Sequence, residues 1–584
     1  MSAQLREDVT RFFGDRIGSD KKVLEECISI CQIYNLSVET LLYKWEALNF
    51  RPSATRSEIS AFTMDSAVAL KAQIQRDLAK ENARKPQHRT IATTNTALVN
   101  RSRIPANMLK NANPTQRVGV QVKTENGFGV PGPSTSSHVV FKGPEMDSAS
   151  RKDRSYRYMY EKISERGEAL DDRIEEFAEL IQKHYNISDL GDPSLSTDEE
   201  ITTIGRIVHD ADTSTTPAKL TEATVALETS RMVSSGARVP LRFDPELTIR
   251  GGVQGVGSVS LYPGGIVALK GKNGGGGWFL VTEILSIPPL KPTLTSLGLP
   301  NPKTDPGSDT LFSMCIASGP YTPDSDLSFK PWHALLKAIR NDKPTAVLLM
   351  GPFIDVQHPK IKNGETDMVP AGLFRSLFIK PLQAYLDSCP GSIVVLVPSV
   401  RDTISRQAVF PQGEMGSELT SSDPRIHLLP NPACFSINDI TFAASSVDVI
   451  YHLRKEELLK RGKEADSIAP SIDDTGADPM GNTVRQLLLQ RSFYPLFPVP
   501  LDVSQDVNLA VTHLGGLKLG EEECAPDILV LPSRLKQFSK AVHSTATLNP
   551  SFLVKGTYAK VHVAAKSAIS GFKERLATEI VRLE

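Results

Sequence analysis

No apolar run in these 584 residues approaches the ~20 needed to cross a bilayer. The N-terminus, MSAQLREDVTRFFG, is polar and amphipathic rather than signal-like. A soluble, intracellular protein without membrane contact is therefore expected. A dominant sign of charge is missing too: 66 Lys and Arg against 67 Asp and Glu leave a net charge of −1, so no global field draws the chain onto nucleic acid. Cysteine is sparse and scattered (Cys27, Cys31, Cys315, Cys389, Cys434, Cys524), mostly in apolar contexts. Cys27 and Cys31 lie one helical turn apart, but no CxxC or His pair completes a metal site around them. Free thiols in a reducing compartment are expected. Phosphate-loop chemistry is absent as well, because GGVQGVG (251–257) and GKNGGGGW (271–278) lack the GxxxxGK[ST] or GxGxxG spacing and read as turns. No cofactor, metal ligand set or catalytic constellation is expected.

What is present divides into four stretches, as a chain well beyond the size of a single core should. Residues 1–82 carry apolar faces at helical spacing, among them Val38, Leu41, Leu42 and Trp45, then Val23, Leu24, Cys27, Ile28 and Cys31, and Leu70, Ile74 and Leu78. They predict a small all-α module that docks other proteins. Residues 83–152 lose this periodicity to Asn, Thr, Ser, Gly and Pro and read as a flexible, mildly basic linker. From 153 to 300, the amphipathic helix LDDRIEEFAELIQ precedes five short strand patterns with Gly-rich turns, which predict an OB-type β-barrel. Its aromatics (Phe243, Tyr262, Trp278, Phe279) are few and not interleaved with cations in the sequence, so protein contact is favoured and direct DNA contact is weak at most.

Residues 301–584 predict an α/β domain. Strands are expected at 312–317, 346–350 and 393–397 with helical patterns between them, further strands at 439–450, around 508–514 and at 527–533, and a last one in GTYAKVHVAA. The polar insert 460–482 reads as a mobile surface loop. Loop order in this domain resembles a calcineurin-like metallophosphoesterase, whose two metals are held by DxH, GDxxD, GNH[DE] and GHxH. The corresponding positions here read Ser318-Gly319-Pro320, Gly351-Pro352-Phe353-Ile354-Asp355, Pro398-Ser399-Val400-Arg401-Asp402 and Leu531-Pro532-Ser533-Arg534. Asp355 and Asp402 remain, and two carboxylates cannot clamp two cations. The resemblance implies an inactivated site whose vestigial positions are Ser318, Pro320, Pro352, Asp355, Arg401 and Asp402, with Arg401 pairing one of the carboxylates.

The segments ASGPYTPDSDLSF, LLMGPFIDVQHP, VLVPSVRD, QRSFYPLFPVP, APDILVLPSRL and LNPSFLVKGTYAKV are similar to the B subunits of the replicative B-family DNA polymerases, in particular the alpha-primase branch. That resemblance implies a non-catalytic nuclear scaffold. Its barrel and phosphoesterase-like domains would hold the C-terminal domain of the polymerase catalytic subunit. Primase subunits would be reached through the complex, and replisome proteins through the N-terminal helices. Phe493, Tyr494 and Phe497, set among three prolines between Gln490 and Pro500, are the candidate partner-contact residues. Two rivals compete with this reading: a phosphoesterase using Asp355, Asp402, His358 and His427, and a single-strand DNA binder acting through the barrel and linker.

Overall fold

The structure, a computed structural model, describes residues 9–71 apart from 12, 14–20, 35–37, 50–61, 64, 65 and 69. It also describes 139–583 apart from 157–159, 210–218, 298, 300–310, 421–422, 471–473, 475–477, 505, 521–522 and 566–571. The chain forms two compact units, Met1–Glu125 and Asn126–Glu584.

In the first unit, the helices Lys21–Tyr34 and Val38–Asn49 bury Val23, Cys27, Ile30 and Cys31 with Val38, Leu41 and Trp45. Phe62 lies 5.4 Å from both Phe13 and Trp45, ring centre to ring centre. Leu70 joins this core. Ile74, Leu78 and the linker from 83 to 138 lie outside the described residues. Cys27, Cys31, Cys315, Cys389 and Cys524 are free thiols, and burial pushes the Cys27 thiol up to about 12.

The second unit opens with a segment that sequence alone assigns to the linker. Phe141–Lys142 adds a short antiparallel strand to Ala433–Ile437, and Phe141 stacks on His427 at 3.9 Å. The boundary at 152 is therefore too late, because two aromatic contacts and a strand pairing hold 139–142 to the body.

The helix Ile163–Tyr185 buries Ile174, Phe177, Ala178 and Ile181, a 3–4–7 stripe, against the barrel. Asn186 ends it in the left-handed conformation at φ 53°. Around the barrel, Arg238–Arg250, Val225–Glu228, Thr197–His209, Ile266–Asn273 and Phe279–Leu285 pair in turn, each antiparallel to the next. Phe279–Leu285 then closes on Arg238–Arg250 in parallel. The closed five-stranded ring fills its interior with Leu227, Leu241, Leu269, Phe279 and Val281. The pairing of Ile266–Asn273 with Phe279–Leu285 requires Gly271, since a Cβ there would strike the Leu280 carbonyl.

Two six-stranded sheets stack to make the α/β domain. One runs Ile426–Leu428, Ile393–Val397, Ala346–Met350, Phe312–Ser318, Thr557–Val563, Leu576–Arg582, its first four strands parallel. The other runs Phe141–Lys142, Ala433–Ile437, Ile440–Ala444, Ile528–Val530, Thr545–Asn549, Phe538–Val542. Every residue of Ala346–Met350 is buried because both faces of its sheet are covered. Val347 and Leu349 meet Trp332 and Phe378 on the helical layer, while Ala346, Leu348 and Met350 meet Phe442 and Val530 of the second sheet.

Three expectations for this domain need correction. The stretch 439–450 is a strand only over Ile440–Ala444, after which Asp448 caps the helix Val449–Glu456 by accepting from the Tyr451 N–H. Residues 508–514 are not a strand; Val511–Leu517 is a 3-10 helix. The described start of the insert is not a free loop. Leu458–Arg461 pairs antiparallel with Ser258–Leu261, and Lys463–Ala465 pairs parallel with the end of Arg238–Arg250. Ser258–Leu261 and Arg238–Arg250 supply the hydrogen-bonding edges that these polar residues could not find locally.

Candidate functional site

The loops that leave Phe312–Ser318, Ala346–Met350 and Ile393–Val397 at their C-terminal ends press together backbone to backbone. Gly319 N–H donates to the Met350 carbonyl and Gly351 N–H to the Val397 carbonyl, each at 2.8 Å. A Cβ at Gly319 would collide with the Pro352 carbonyl, and one at Gly351 with Asp402 Oδ2. Ser318 is buried, its hydroxyl facing the Gly319 and Gly351 carbonyls at 3.4 and 3.5 Å. The Pro320 carbonyl accepts from Val554 N–H at 3.1 Å. These loops therefore meet main chain to main chain.

Asp355 and Asp402 lie on paired loops but have different partners. Asp402 is buried and accepts from the backbone N–H groups of Phe353, Ile354 (3.1 Å) and Ser399 (2.9 Å). Burial pushes its carboxyl up to about 7, with those three donors opposing the shift. Asp355 is gripped by Arg401, whose Nε lies 3.2 Å from Oδ1 and whose Nη2 meets Oδ2. Arg401 also reaches Asp506 at 3.9 Å, and Arg534 joins Asp506 (2.9 Å) to Asp448 (3.1 Å). The result is an alternating row, Asp355, Arg401, Asp506, Arg534, Asp448, along the strand ends of both sheets. The sequence reading missed Asp506 and Asp448. A signal for Asp448 existed in its capping position before VIYHL; Asp506 offered none.

The histidines do not gather here as ligands. His358 is buried, with Nε2 at 3.1 Å from the Pro323 and Asp326 carbonyls and Nδ1 accepting from Lys360 N–H. His427 sits under the Phe141 ring. His452 contacts Tyr494 Oη at 3.1 Å, and burial pulls it down to about 4. Among the described residues, no group of three or more His, Cys, Asp or Glu side chains is placed to hold a metal ion.

The family model for the B subunit of DNA polymerases alpha and epsilon matches residues 314–540, and that for the OB domain of the DNA polymerase alpha B subunit matches 167–287. The DNA polymerase alpha B subunit of Schizosaccharomyces pombe is 31 % identical over 585 residues, covering 93 % of this chain and 94 % of its own. The chain belongs to the family of DNA polymerase alpha B subunits. Proteins of the same name from Saccharomyces cerevisiae and Bos taurus are 30 % and 28 % identical over 70 % and 66 % of this chain, and 61 % and 57 % of their own lengths. A solved structure, TT1561 of Thermus thermophilus, aligns with 47 % of the chain and all of its own at 12 % identity, with a TM-score of 0.23, too low to carry an argument. The chain is thus an accessory, non-catalytic subunit of a DNA polymerase alpha, with an OB domain.

In this accessory subunit, the expected partner-contact residues Phe493 and Tyr494 are fully buried instead, beside Phe410, Leu487 and Leu517. Phe497 is half-buried, with the Arg166 and Arg206 guanidiniums each 5.4 Å from its ring centre. The stretch Gln490–Pro500 is the seam between barrel and α/β domain. Gln490 exchanges hydrogen bonds with both the N–H (3.0 Å) and the carbonyl (2.7 Å) of Ile266, and Phe497 N–H donates to the Pro263 carbonyl at 3.0 Å. The barrel's aromatics also differ from expectation. Arg242 lies 4.1 Å over Trp278 and Lys460 4.9 Å over Phe243, cations brought in from other strands.

Proposed function

We propose that this chain is a scaffold of the DNA polymerase alpha-primase complex. In this reading its barrel and α/β domain together hold the C-terminal domain of the polymerase catalytic subunit. Primase subunits are engaged through the complex, and the N-terminal helices recruit other replisome proteins during primer synthesis in the nucleus. The α/β domain is then an inactivated phosphoesterase-like body. One observation carries this: Arg401 lies between Asp355 and Asp506 while the flanking loops meet main chain to main chain, so fixed charge and peptide occupy the space that two hydrated cations would need.

Calorimetric titration with Mn²⁺ and Mg²⁺, with a phosphodiester turnover assay beside it, tests the inactive site. Stoichiometric binding with turnover would overturn it. Co-purification of the full chain with the catalytic subunit's C-terminal domain tests the scaffold.

A second reading, single-strand DNA binding by the barrel, draws support from Arg242 on Trp278 and Lys460 on Phe243. Against it, acidic residues outnumber basic ones over 197–285, and Asp198, Glu199 and Glu200 stand exposed on the strand beside Lys270 and Lys272. A salt series decides: affinity with a steep log-log slope that survives removal of residues 1–138 would favour the DNA reading.

A further inference from the structure

The helix Lys330–Asp342 turns Trp332, Leu335, Leu336 and Ile339 into the α/β core and leaves Lys330, His333, Lys337 and Arg340 exposed on its other side. At 3.6 residues per turn these four fall within an arc of about 80°, and at 1.5 Å per residue they run for about 15 Å. A second helix, continuous through Pro370–Phe374, Arg375–Ile379 and Lys380–Ser388, covers the same face of the sheet beside it. The Trp332 indole N–H donates to the Leu377 carbonyl at 2.7 Å, and the Tyr385 hydroxyl donates to the Pro344 carbonyl. Lys380, three residues on from Leu377, is exposed on the same outer layer.

Between 328 and 343 the chain carries four cations and one carboxylate, although its charges balance as a whole. That carboxylate, Asp342, is taken by Lys560 at 2.8 Å. Asp326, before the helix, accepts from the Ser328 N–H and hydroxyl. Among the described residues, none of Lys330, Lys337, Arg340 and Lys380 forms an ion pair.

The helix itself does not call for this stripe. Arg340 in the last turn suits the helix dipole, but Lys330 in the first turn opposes it, and no acidic residue stands there. Among the described residues, no exposed large apolar side chain lies on this helix, so the anchors of a protein interface are missing. Its one aromatic, Trp332, is buried, so no ring is offered to an unstacked base. Evenly spaced cations with neither feature match a phosphodiester backbone whose bases are already paired.

We propose that Lys330, Lys337, Arg340 and Lys380 form a contact for the backbone of a nucleic-acid duplex, held without regard to its sequence. The stripe is about as long as the axial rise of four phosphates on one strand. Duplex is what the polymerase that this subunit accompanies makes. The site goes beyond the scaffold reading and does not rest on it. It also stands apart from the Arg242–Trp278 and Lys460–Phe243 stacks of the barrel.

The test uses the full chain with a labelled DNA duplex of about 20 bp and mixed sequence, a single strand of the same length beside it, and anisotropy read between about 50 and 200 mM salt. Lys330→Glu/Lys337→Glu is expected to weaken duplex binding at the lowest salt about tenfold or more, and to make the log-log salt slope shallower by about two. Lys183→Glu/Lys291→Glu, an equal change of net charge at exposed cations elsewhere, should leave the slope unchanged. Duplex binding by the stripe variant within twofold of the parent would overturn the proposal, as would the absence of duplex binding by the parent. An equal loss from the control pair would mean that only net charge is read, and tighter binding of the single strand would exclude a duplex site; either overturns it. Because Lys330 and Lys337 face solvent, thermal melts of the variant should match the parent. If the variant melts early, Lys380→Glu alone, on the second helix, is expected to make the slope shallower by about one, and an unchanged slope there would overturn the site.

Discussion

Arg401 supplies positive charge at the buried Asp355 carboxylate through a fixed side chain. Asp355 is almost wholly shielded and Arg401 about one-fifth exposed, so removing the guanidinium leaves a carboxylate that water reaches poorly. Arg401→Met is expected to lower stability by about 2–3 kcal/mol in urea unfolding. Adding Asp355→Asn should recover part of that loss, a coupling that a double-mutant cycle would read. His452 gives a residue-scale pH dependence. Its folded value is pulled down to about 4 against an ordinary 6.5, so the unfolded chain takes up a proton first as pH falls. Stability from His452 is complete above about pH 6.5 and is lost as pH falls towards 4, by roughly 3 kcal/mol. Asp402 runs the other way. Its carboxyl, pushed up to about 7, holds a proton in the folded state that the unfolded chain has already released, so this contribution weakens as pH rises from about 4 to 7. A His452→Phe variant should therefore flatten the acid limb of a stability-against-pH curve between 4 and 6.5 and leave the Asp402 slope in place.

At the scale of elements, what the chain reveals of itself depends on where each segment finds its partner. Ala346–Met350 and Ile393–Val397 are legible because their apolar runs bury both faces, and burial leaves its mark on composition. The helix Ile163–Tyr185 is legible through its stripe. Leu458–Arg461 is not, since Leu-Leu-Lys-Arg is half polar and its partner, Ser258–Leu261, lies about 200 residues away. Gln490–Pro500 misled for the same reason: aromatics among prolines show no periodicity, and only the fold reveals that Phe493 and Tyr494 face inward. The charged row shows both cases, because Arg401 and Asp355 stand at strand ends that sequence can locate, whereas Asp506 arrives from an irregular stretch with no local cue. Hydrogen exchange separates the two views of the insert. Paired amides in Leu458–Arg461 should exchange more slowly than loop amides by the opening free energy of the barrel, several orders of magnitude in rate. Exchange as fast as an open loop would refute the pairing.

Within Asn126–Glu584, the devices that join barrel and α/β domain include the Gln490 clamp on Ile266, the two insert strands, and the passage of Pro495–Phe497 over Gly264. Gly264 is the most exacting of them. Its φ of +95° lies where a side chain is strained, and a Cβ there would strike the Phe497 nitrogen and the Pro495 carbonyl, backbone atoms that cannot swing aside. Gly264→Ala must therefore push the seam open or twist the turn, at about 2–4 kcal/mol. Because the strain falls on the junction and not within either core, the expected signature is a loss of coupling. The unaltered residues 139–584 should unfold in one calorimetric transition, and the variant in two, with the barrel melting first because its core is the smaller. A scaffold that binds its partner across both domains would then lose affinity along with that coupling, since its two halves would no longer be held at a fixed angle. A variant that still melts in a single transition at an unchanged temperature would mean that the seam does not set the geometry of the molecule.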